Sequence, residues 1–367
     1  MENNFIYLDN ASTTPLSENV LNIINSTYRN YWHNPSSTYE LGIKCSTYLE
    51  KIRSKIAYIF EADPEDIIFT SGSSESTNIV FNNIYEKFKN GRVVISNVEH
   101  QATTICANKL RKQNWDIYEW TVNNDGILNI SNIEKFLNND TKLEELNIMF
   151  HLDGTQILSN GIFSWKDLKC DFLSLSAHKF GGPKGIGILL TKEKSRQILK
   201  NNDISLTQEF SIRQGTQALP LIAGMYESLK NIEGKIKLYD YITEFPSNNI
   251  NKLKNYFFQK IKDNNHIKIT GSINHRLPSH ISFLLLNKLF EPIRAYKIVN
   301  FMSENKIAIS SGSACSSSSG KPSSTLKNIG LKDDELYSNI RVTLGSINNK
   351  SEIDKFLELI QICIDKF

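Results

Sequence analysis

Apolar residues recur along this chain with two alternating spacings. Leu41, Cys45, Leu49, Ile52, Ile56 and Phe60 fall at steps of three and four, so they share one helical face. Ile353, Phe356, Leu357, Ile360 and Ile364 make a second such stripe, and Leu253, Tyr256, Phe257 and Ile261 a third. Short continuous apolar runs lie between stripes, at residues 67–69, 93–95, 148–152, 172–175 and 186–190. Such runs read as strands. Strands alternating with helices predict an α/β fold with a mostly parallel sheet. The texture changes after about residue 235. Runs at 281–286, 307–309 and 340–344 are mixed with helices at hairpin-like spacing, which predicts a smaller α+β unit. The boundary falls near 235–245, where Gly234 and Pro246 interrupt the helical pattern. The expected division is a large α/β domain over 15–240 and a small α+β domain built from 1–14 and 241–367.

Composition narrows the class. The 367 residues suit two packed domains, and 40% hydrophobic with 22% charged residues is the usage of a soluble globular protein. A net charge of +3 gives no general argument for nucleic acid or an anionic membrane as partner. No run approaches the length of a spanning helix, and the start Met1-Glu2-Asn3-Asn4-Phe5-Ile6-Tyr7 has no basic segment followed by an apolar stretch. A cytoplasmic protein is therefore expected. The five cysteines are an odd number without Cys-x-x-Cys spacing, which argues against a disulfide framework and a cysteine-rich zinc site. The histidines show no ligand spacing.

Five segments carry candidate chemistry. Cys315 lies in Ser310-Ser311-Gly312-Ser313-Ala314-Cys315-Ser316-Ser317-Ser318-Ser319-Gly320, where a thiol has little to pack against. It is either an incidental surface cysteine or a sulfur that moves to do chemistry. Thr70-Ser71-Gly72-Ser73-Ser74-Glu75-Ser76 follows a strand and opens a helical stretch. Free N–H groups, hydroxyls and a glycine there make either an anion site or an ordinary N-cap. In Ser174-Leu175-Ser176-Ala177-His178-Lys179-Phe180-Gly181-Gly182-Pro183, Lys179 lies just past an apolar strand. A half-buried lysine there can form a Schiff base, with Ser176 and His178 beside it for phosphate, or can simply reach out to solvent.

His151-Leu152-Asp153-Gly154-Thr155-Gln156 ends an earlier strand, so Asp153 shares the carboxyl edge where open α/β sheets bind ligands. A carboxylate beside a Schiff-base lysine fits pyridoxal phosphate, whose ring nitrogen needs an acidic partner. Gln156 can donate to the ring's phenolic oxygen, while helix capping is the plainer role for Asp153. Arg341, between Ile340 and Val342, either grips a carboxylate with its fork or faces solvent by alternation.

The order of these segments resembles that of the cysteine desulfurases, pyridoxal-phosphate enzymes of the aminotransferase class V type. The similarity runs nearly end to end. Tyr7-Leu8-Asp9-Asn10-Ala11-Ser12-Thr13-Thr14-Pro15, Asn34-Pro35-Ser36-Ser37, Val98-Glu99-His100, Arg213-Gln214-Gly215-Thr216 and Ser311-Gly312-Ser313-Ala314-Cys315 are each similar to a motif of that family, the last to its long-loop subgroup. The resemblance implies the type I fold of pyridoxal-phosphate-dependent transferases. It implies that Lys179 carries the cofactor and that Ser73, Ser74, Ser176 and His178 hold its phosphate. Asp153 would meet the ring nitrogen, Gln156 the phenolic oxygen and His100 the ring face. Thr216 would reach the phosphate of a partner subunit, making the protein a homodimer. Arg341 would hold the carboxylate of L-cysteine, and the released Lys179 amine would take the Cα proton. The Cys315 thiolate would attack the substrate sulfur, with His100 handling protons there. The products would be L-alanine and a persulfide on Cys315, destined for an iron–sulfur scaffold or a tRNA-thiolating enzyme.

Three departures stand out. Thr141-Lys142-Leu143-Glu144-Glu145-Leu146-Asn147 runs almost directly into Ile148, so a strand–helix unit of roughly 20–25 residues is absent before Asp153, together with the family's asparagine that touches cofactor and substrate. Loss of a central strand is expected to expose or shift the core. Ser205-Leu206-Thr207-Gln208-Glu209 stands where the family favours a glycine-rich stretch, and Tyr39 replaces a usual histidine. These departures keep open a degenerate desulfurase-like scaffold with little turnover. Another class V enzyme, a selenocysteine lyase or an aminotransferase, is the further alternative, although a transaminase needs no nucleophilic cysteine.

Overall fold

The computed structural model describes residues 5–129, 148–200, 207–238, 243–312 and 323–367. Its first elements are a short strand, β1 (Ile6–Tyr7), and two helices, α1 (Glu18–Asn30) and α2 (Glu40–Phe60). The predicted stripe of α2 is buried from Cys45 to Phe60, whereas Leu41 is 45% exposed at the helix start. Five strands and two helices follow, alternating as far as β4: β2 (Ile67–Thr70), α3 (Ser73–Lys87), β3 (Arg92–Ser96), α4 (Gln101–Arg111), β4 (Asp116–Trp120), β5 (His151–Asp153) and β6 (Phe172–Ser176). Then come β7 (Gly187–Thr191), α5 (Glu193–Leu199) and α6 (Leu219–Lys230).

The main sheet has the order β2-β7-β6-β5. Strand β7 runs antiparallel to both neighbours, while β5 and β6 are parallel, so β2, β6 and β5 point the same way. Every residue of β2, β6 and β7 is buried, which explains their unbroken apolar runs in the sequence. Trp165 and Phe163 from the loop before β6 pack with Phe60 and Ile56 of α2 beneath this sheet.

Strands β3 and β4 pair in parallel with each other and form a separate sheet. Among the described residues, no strand pairs with the outer edge of β5 or joins β5 to β3. This is the place where the sequence lacks the expected strand–helix unit. Beside it, Ile148 is 53% and Phe150 52% exposed, and β5 begins at His151 instead of 148. Residues 130–147 lie outside the described residues.

Of the glycine-poor segment, 201–206 lie outside the described residues. Beyond it, Glu209, Phe210 and Ser211 take φ values of 43°, 57° and 65°, in the left-handed region that favours glycine. A buried ion pair holds this strained turn. Arg53 of α2 donates from Nη1 and Nη2 to the two Glu209 oxygens at 3.0 and 2.8 Å, and Glu209 also accepts from the Phe69 N–H at 2.7 Å.

The second core begins after a small hairpin, β8 (Lys237–Leu238) and β9 (Thr243–Glu244). It contains α7 (Asn249–Ile261), β10 (Ile267–Ile269), β11 (His280–Leu285), α8 (Ala295–Glu304), β12 (Ile307–Ala308) and β13 (Ser310–Ser311). The short helices α9 (Ser324–Asn328) and α10 (Asp333–Leu336) lead to β14 (Asn339–Thr343) and the closing helix α11 (Lys350–Lys366). The sheet order β10-β11-β14-β13 is wholly antiparallel. The predicted run 307–309 forms β12, which pairs with β1, while the next short strand, β13, pairs with β14. Leu8 packs in this core with Phe257, Phe283 and Phe356. The chain start is thereby tied to the second sheet, and Asp9 bridges to Thr343 at the end of β14.

Candidate active site

The turn between β2 and α3 makes the floor of the site. Gly72 adopts φ 150° at the N-cap of α3, a conformation that side chains disfavour. Gly187 of β7 lies directly beneath, where an added Cβ would meet the Gly72 Cα at 2.6 Å and the Leu175 carbonyl oxygen at 2.4 Å. This close backbone contact sets the first turn of α3 against the carboxyl end of β6. The Ser73 N–H donates to Ser176 Oγ at 2.7 Å. A cavity of about 470 Å³ opens above, lined by Ser12, Thr13, Ser73, Ser74, Ser176 and His178 among others. Hydroxyls and helix N-terminal amides facing one space form a receptor for an anion. Burial, then the charges of Lys179 and Lys184, hold the His178 ring below its ordinary pKa, so at neutral pH it is uncharged.

Asp153 stands at the end of β5 beside this cup. Its Oδ1 accepts from the Ser73 hydroxyl at 3.2 Å, from the Thr155 N–H at 3.0 Å and from the Thr155 hydroxyl. Its Oδ2 has no hydrogen-bond partner among the described residues. One oxygen is thus fixed and the other is left to accept from a ligand. Glu99, at the end of the β3–α4 turn, is raised above the usual carboxylate range by burial and then by the nearby charge of Asp153.

Lys179 and Gln156 converge on the chain start. Lys179 Nζ donates to the carbonyl oxygens of Ala11 at 2.7 Å and Ser12 at 3.0 Å. Gln156 Nε2 donates to the same Ala11 oxygen at 3.0 Å. Arg341 reaches this segment from β14, its Nη2 donating to Asp9 Oδ1 at 2.8 Å and to Ser12 Oγ at 2.9 Å. The structure therefore lines the cavity with Ser73, Ser74, Ser176 and His178, joins Asp153 to them through Ser73, and gathers Lys179, Gln156 and Arg341 on residues 9–12, of which Ser12 also lines the cavity.

Two expected residues are not gathered there. His100 is exposed at the N-cap of α4, where its Nδ1 accepts from the Ala102 N–H at 3.2 Å. Thr216 is exposed and lies off the cavity wall. Cys315 lies outside the described residues. The other four cysteines, Cys45, Cys106, Cys170 and Cys363, are buried. Burial pushes Cys170 up to about 12 and Cys363 to about 11, so neither supplies a thiolate near neutral pH.

Sequence reasoning gave no chemical role to Asp9, Ser12, Tyr7 or the Glu75–Arg213 pair. Tyr7 Oη donates to the Asp9 and Thr13 carbonyl oxygens at 3.0 and 2.9 Å, closing residues 7–13 into a hook. Arg213 Nε donates to Glu75 Oε1 at 3.1 Å, linking the Thr216 segment to the first turn of α3. Only the recurrence of Tyr7–Pro15 as a motif signalled the hook, since an aspartate past a strand has no distinctive pattern.

His151 gives a pH dependence. Its Nε2 pairs with Ser174 Oγ at 2.7 Å, and burial holds the ring down to about 4 from an ordinary 6.5. Between these values the unfolded chain takes a proton that the folded chain refuses. Stability present above pH 6.5 is therefore lost as pH falls towards 4, by on the order of 3 kcal/mol. Melting curves at pH 7 and 4.5 are expected to show a smaller acid-induced drop in His151→Gln than in the parent. Equal drops would contradict this.

The aminotransferase class-V family model matches residues 6–147 and 143–356. The chain belongs to that family and, within it, to the pyridoxal-phosphate-dependent cysteine desulfurases. The cysteine desulfurase IscS of Buchnera aphidicola subsp. Baizongia pistaciae is 32% identical over 389 residues, covering 98% of this chain and 93% of the relative. That of Proteus mirabilis is 30% identical with the same coverage. A solved structure described as SspA in complex with cysteine is 26% identical, with a TM-score of 0.76, over 92% of this chain and 98% of that one. A NifS-like protein shares the fold with a TM-score of 0.82 at 24% identity, over 98% of this chain and 99% of that one. The match to the first relative spans 389 positions against 367 residues here, so at least 22 positions face no residue of this chain. The two segments matched by the family model meet at 143–147, just before β5.

The residues present fit the cofactor. The hydroxyl-lined cup at the α3 N-terminus suits its phosphate, and the unpartnered Asp153 Oδ2 suits a protonated ring nitrogen. Lys179 and Gln156 are held against residues 11 and 12, and Ser12 lines the same cavity.

Proposed function

We propose that this protein takes L-cysteine, releases L-alanine and keeps the sulfur as a persulfide on Cys315. The observation that carries this reading is the convergence on residues 9–12 of a cofactor-bearing lysine and a carboxylate-binding arginine. Lys179 binds the Ser12 carbonyl while Arg341 binds the Ser12 hydroxyl. One small amino acid can therefore present its α-carbon to the lysine and its carboxylate to the arginine.

Bound pyridoxal phosphate supplies an electron sink that makes the substrate's Cα proton removable. The chain's own residues do the rest. Ser73, Ser74, Ser176 and His178 would hold the phosphate, and Asp153 would keep the ring nitrogen protonated. Gln156 would donate to the phenolic oxygen, Lys179 would carry the cofactor and move the Cα proton with its amine, and Arg341 would orient the carboxylate. The Cys315 thiolate attacks the substrate Sγ. A sulfur–sulfur bond forms as the carbon–sulfur bond breaks, and the electron pair left on carbon takes a proton to give alanine. His100, at the start of α4, would handle protons near that sulfur.

The exposure of Thr216 supports its serving the phosphate of a second subunit in a homodimer. The acceptor is a protein of the cytoplasm, an iron–sulfur scaffold or a tRNA-thiolating enzyme. The edge of β5, which has no strand partner among the described residues, favours a second reading, a sulfur-carrying scaffold with little turnover. Incubation with L-cysteine and a thiol reductant separates the two. A desulfurase forms alanine and sulfide in equal, repeated turnovers. A scaffold stops at or below one alanine per protomer.

A further inference from the structure

Arg341 is already engaged in the structure. A guanidinium offers a carboxylate two forks, Nε with Nη2 and Nη1 with Nη2, and both use Nη2. Here Nη2 donates to Asp9 Oδ1 at 2.8 Å and to Ser12 Oγ at 2.9 Å, which uses both of its hydrogens. Nε is buried with no partner, and Nη1 makes no hydrogen bond among the described residues. An unfilled buried N–H is costly, so the arrangement is complete only with an added acceptor. A carboxylate that binds either fork bidentately must displace Asp9 or Ser12.

We propose that Asp9 is an internal counter-ion of the substrate seat, holding the Arg341 fork until a substrate carboxylate displaces it. The two partners of Nη2 differ in their freedom to leave. The main chain of Asp9 is fixed: its carbonyl accepts from Tyr7 Oη at 3.0 Å and from the Ser12 N–H at 3.0 Å. Its side chain has Arg341 as its only hydrogen-bond partner among the described residues. The carboxylate can therefore swing away without moving the hook. Ser12 has less freedom, since its carbonyl also accepts from Lys179.

A paired arginine in the empty site has little attraction for stray anions. A ligand that brings both a carboxylate for Arg341 and an amino group toward Lys179 competes effectively. Asp9 thus sets selectivity at the cost of affinity, because only the Asp9-released fraction of Arg341 is competent to bind.

The proposal rests on Arg341 being the carboxylate seat, and the test separates the two ideas. Calorimetric titration of the holoenzyme with L-alanine gives a dissociation constant independent of turnover. In Asp9→Asn the constant is expected to fall about three- to tenfold, with a matching fall in KM for L-cysteine and kcat changed less than about twofold. Acetate, weak against the parent, is expected to become a competitor. Asp9→Glu restores parental values, and Ser12→Ala shifts them in the same direction as Asp9→Asn by a smaller factor. Unchanged or weaker L-alanine binding in Asp9→Asn, with Arg341→Gln weakening it, overturns the counter-ion and leaves the seat intact. Unchanged binding in Arg341→Gln overturns the seat itself.

Discussion

Replacing Cys315 with serine is expected to leave a yellow, cofactor-loaded protein that no longer releases sulfur. The hydroxyl is close in size, so the loop and pocket are undisturbed, but at neutral pH serine offers no thiolate to attack sulfur. Alanine and sulfide formation with L-cysteine and reductant should fall by about 10³ or more, since the lost group makes a bond in the reaction. The absorbance band of the cofactor and the affinity for L-alanine should be retained. No other cysteine can substitute, because Cys45, Cys106, Cys170 and Cys363 are all buried. Sulfide release by Cys315→Ser at the parental rate would remove the persulfide from the mechanism.

Lys179→Ala tests the other half of the site. Lys179 follows β6, and its amine reaches the Ala11 and Ser12 carbonyls across the cavity from the α3 turn. Losing it removes both the covalent anchor of the cofactor and the base for the Cα proton. The visible band of the purified protein should vanish and alanine formation should fall by about 10³ or more. Added pyridoxal phosphate should restore neither, because the phosphate cup alone holds it reversibly. A band surviving in Lys179→Ala would place the cofactor on another lysine.

Much of this arrangement was legible in the sequence where one residue type is suited to one place. Lys179 follows a fully buried apolar run and precedes Gly181 and Gly182, so its strand-end position was plain. Gly72 between hydroxyl residues marked the turn that opens α3. Strand β4 was not legible, because Asp116–Trp120 is largely exposed and carries no apolar run. The late start of β5 was also invisible at Ile148, whose apolar character says nothing about the missing neighbour. The gap itself could be read only as a shortened interval before Asp153, and the edges of β5 and β3 that have no strand partner among the described residues lie to either side of it. The hook of residues 7–13 escaped because its working atoms are mostly backbone carbonyls, which every residue has.

That gap is where the chain departs most from its relatives. It lies in the chain after the His100 turn and directly before Asp153, so it bears on the ring side of the cofactor more than on its phosphate. The cup, built on β2, β6, β7 and α3, rests on the intact part of the sheet. Weak turnover would therefore be traced first to the ring side of the pocket.

Mass measurement of the protein after L-cysteine is added without reductant is the most direct test of sulfur transfer to Cys315. A desulfurase with this site becomes one sulfur atom heavier on the peptide carrying Cys315 and releases at least one alanine per protomer. A mass unchanged at Cys315 while alanine accumulates would contradict it.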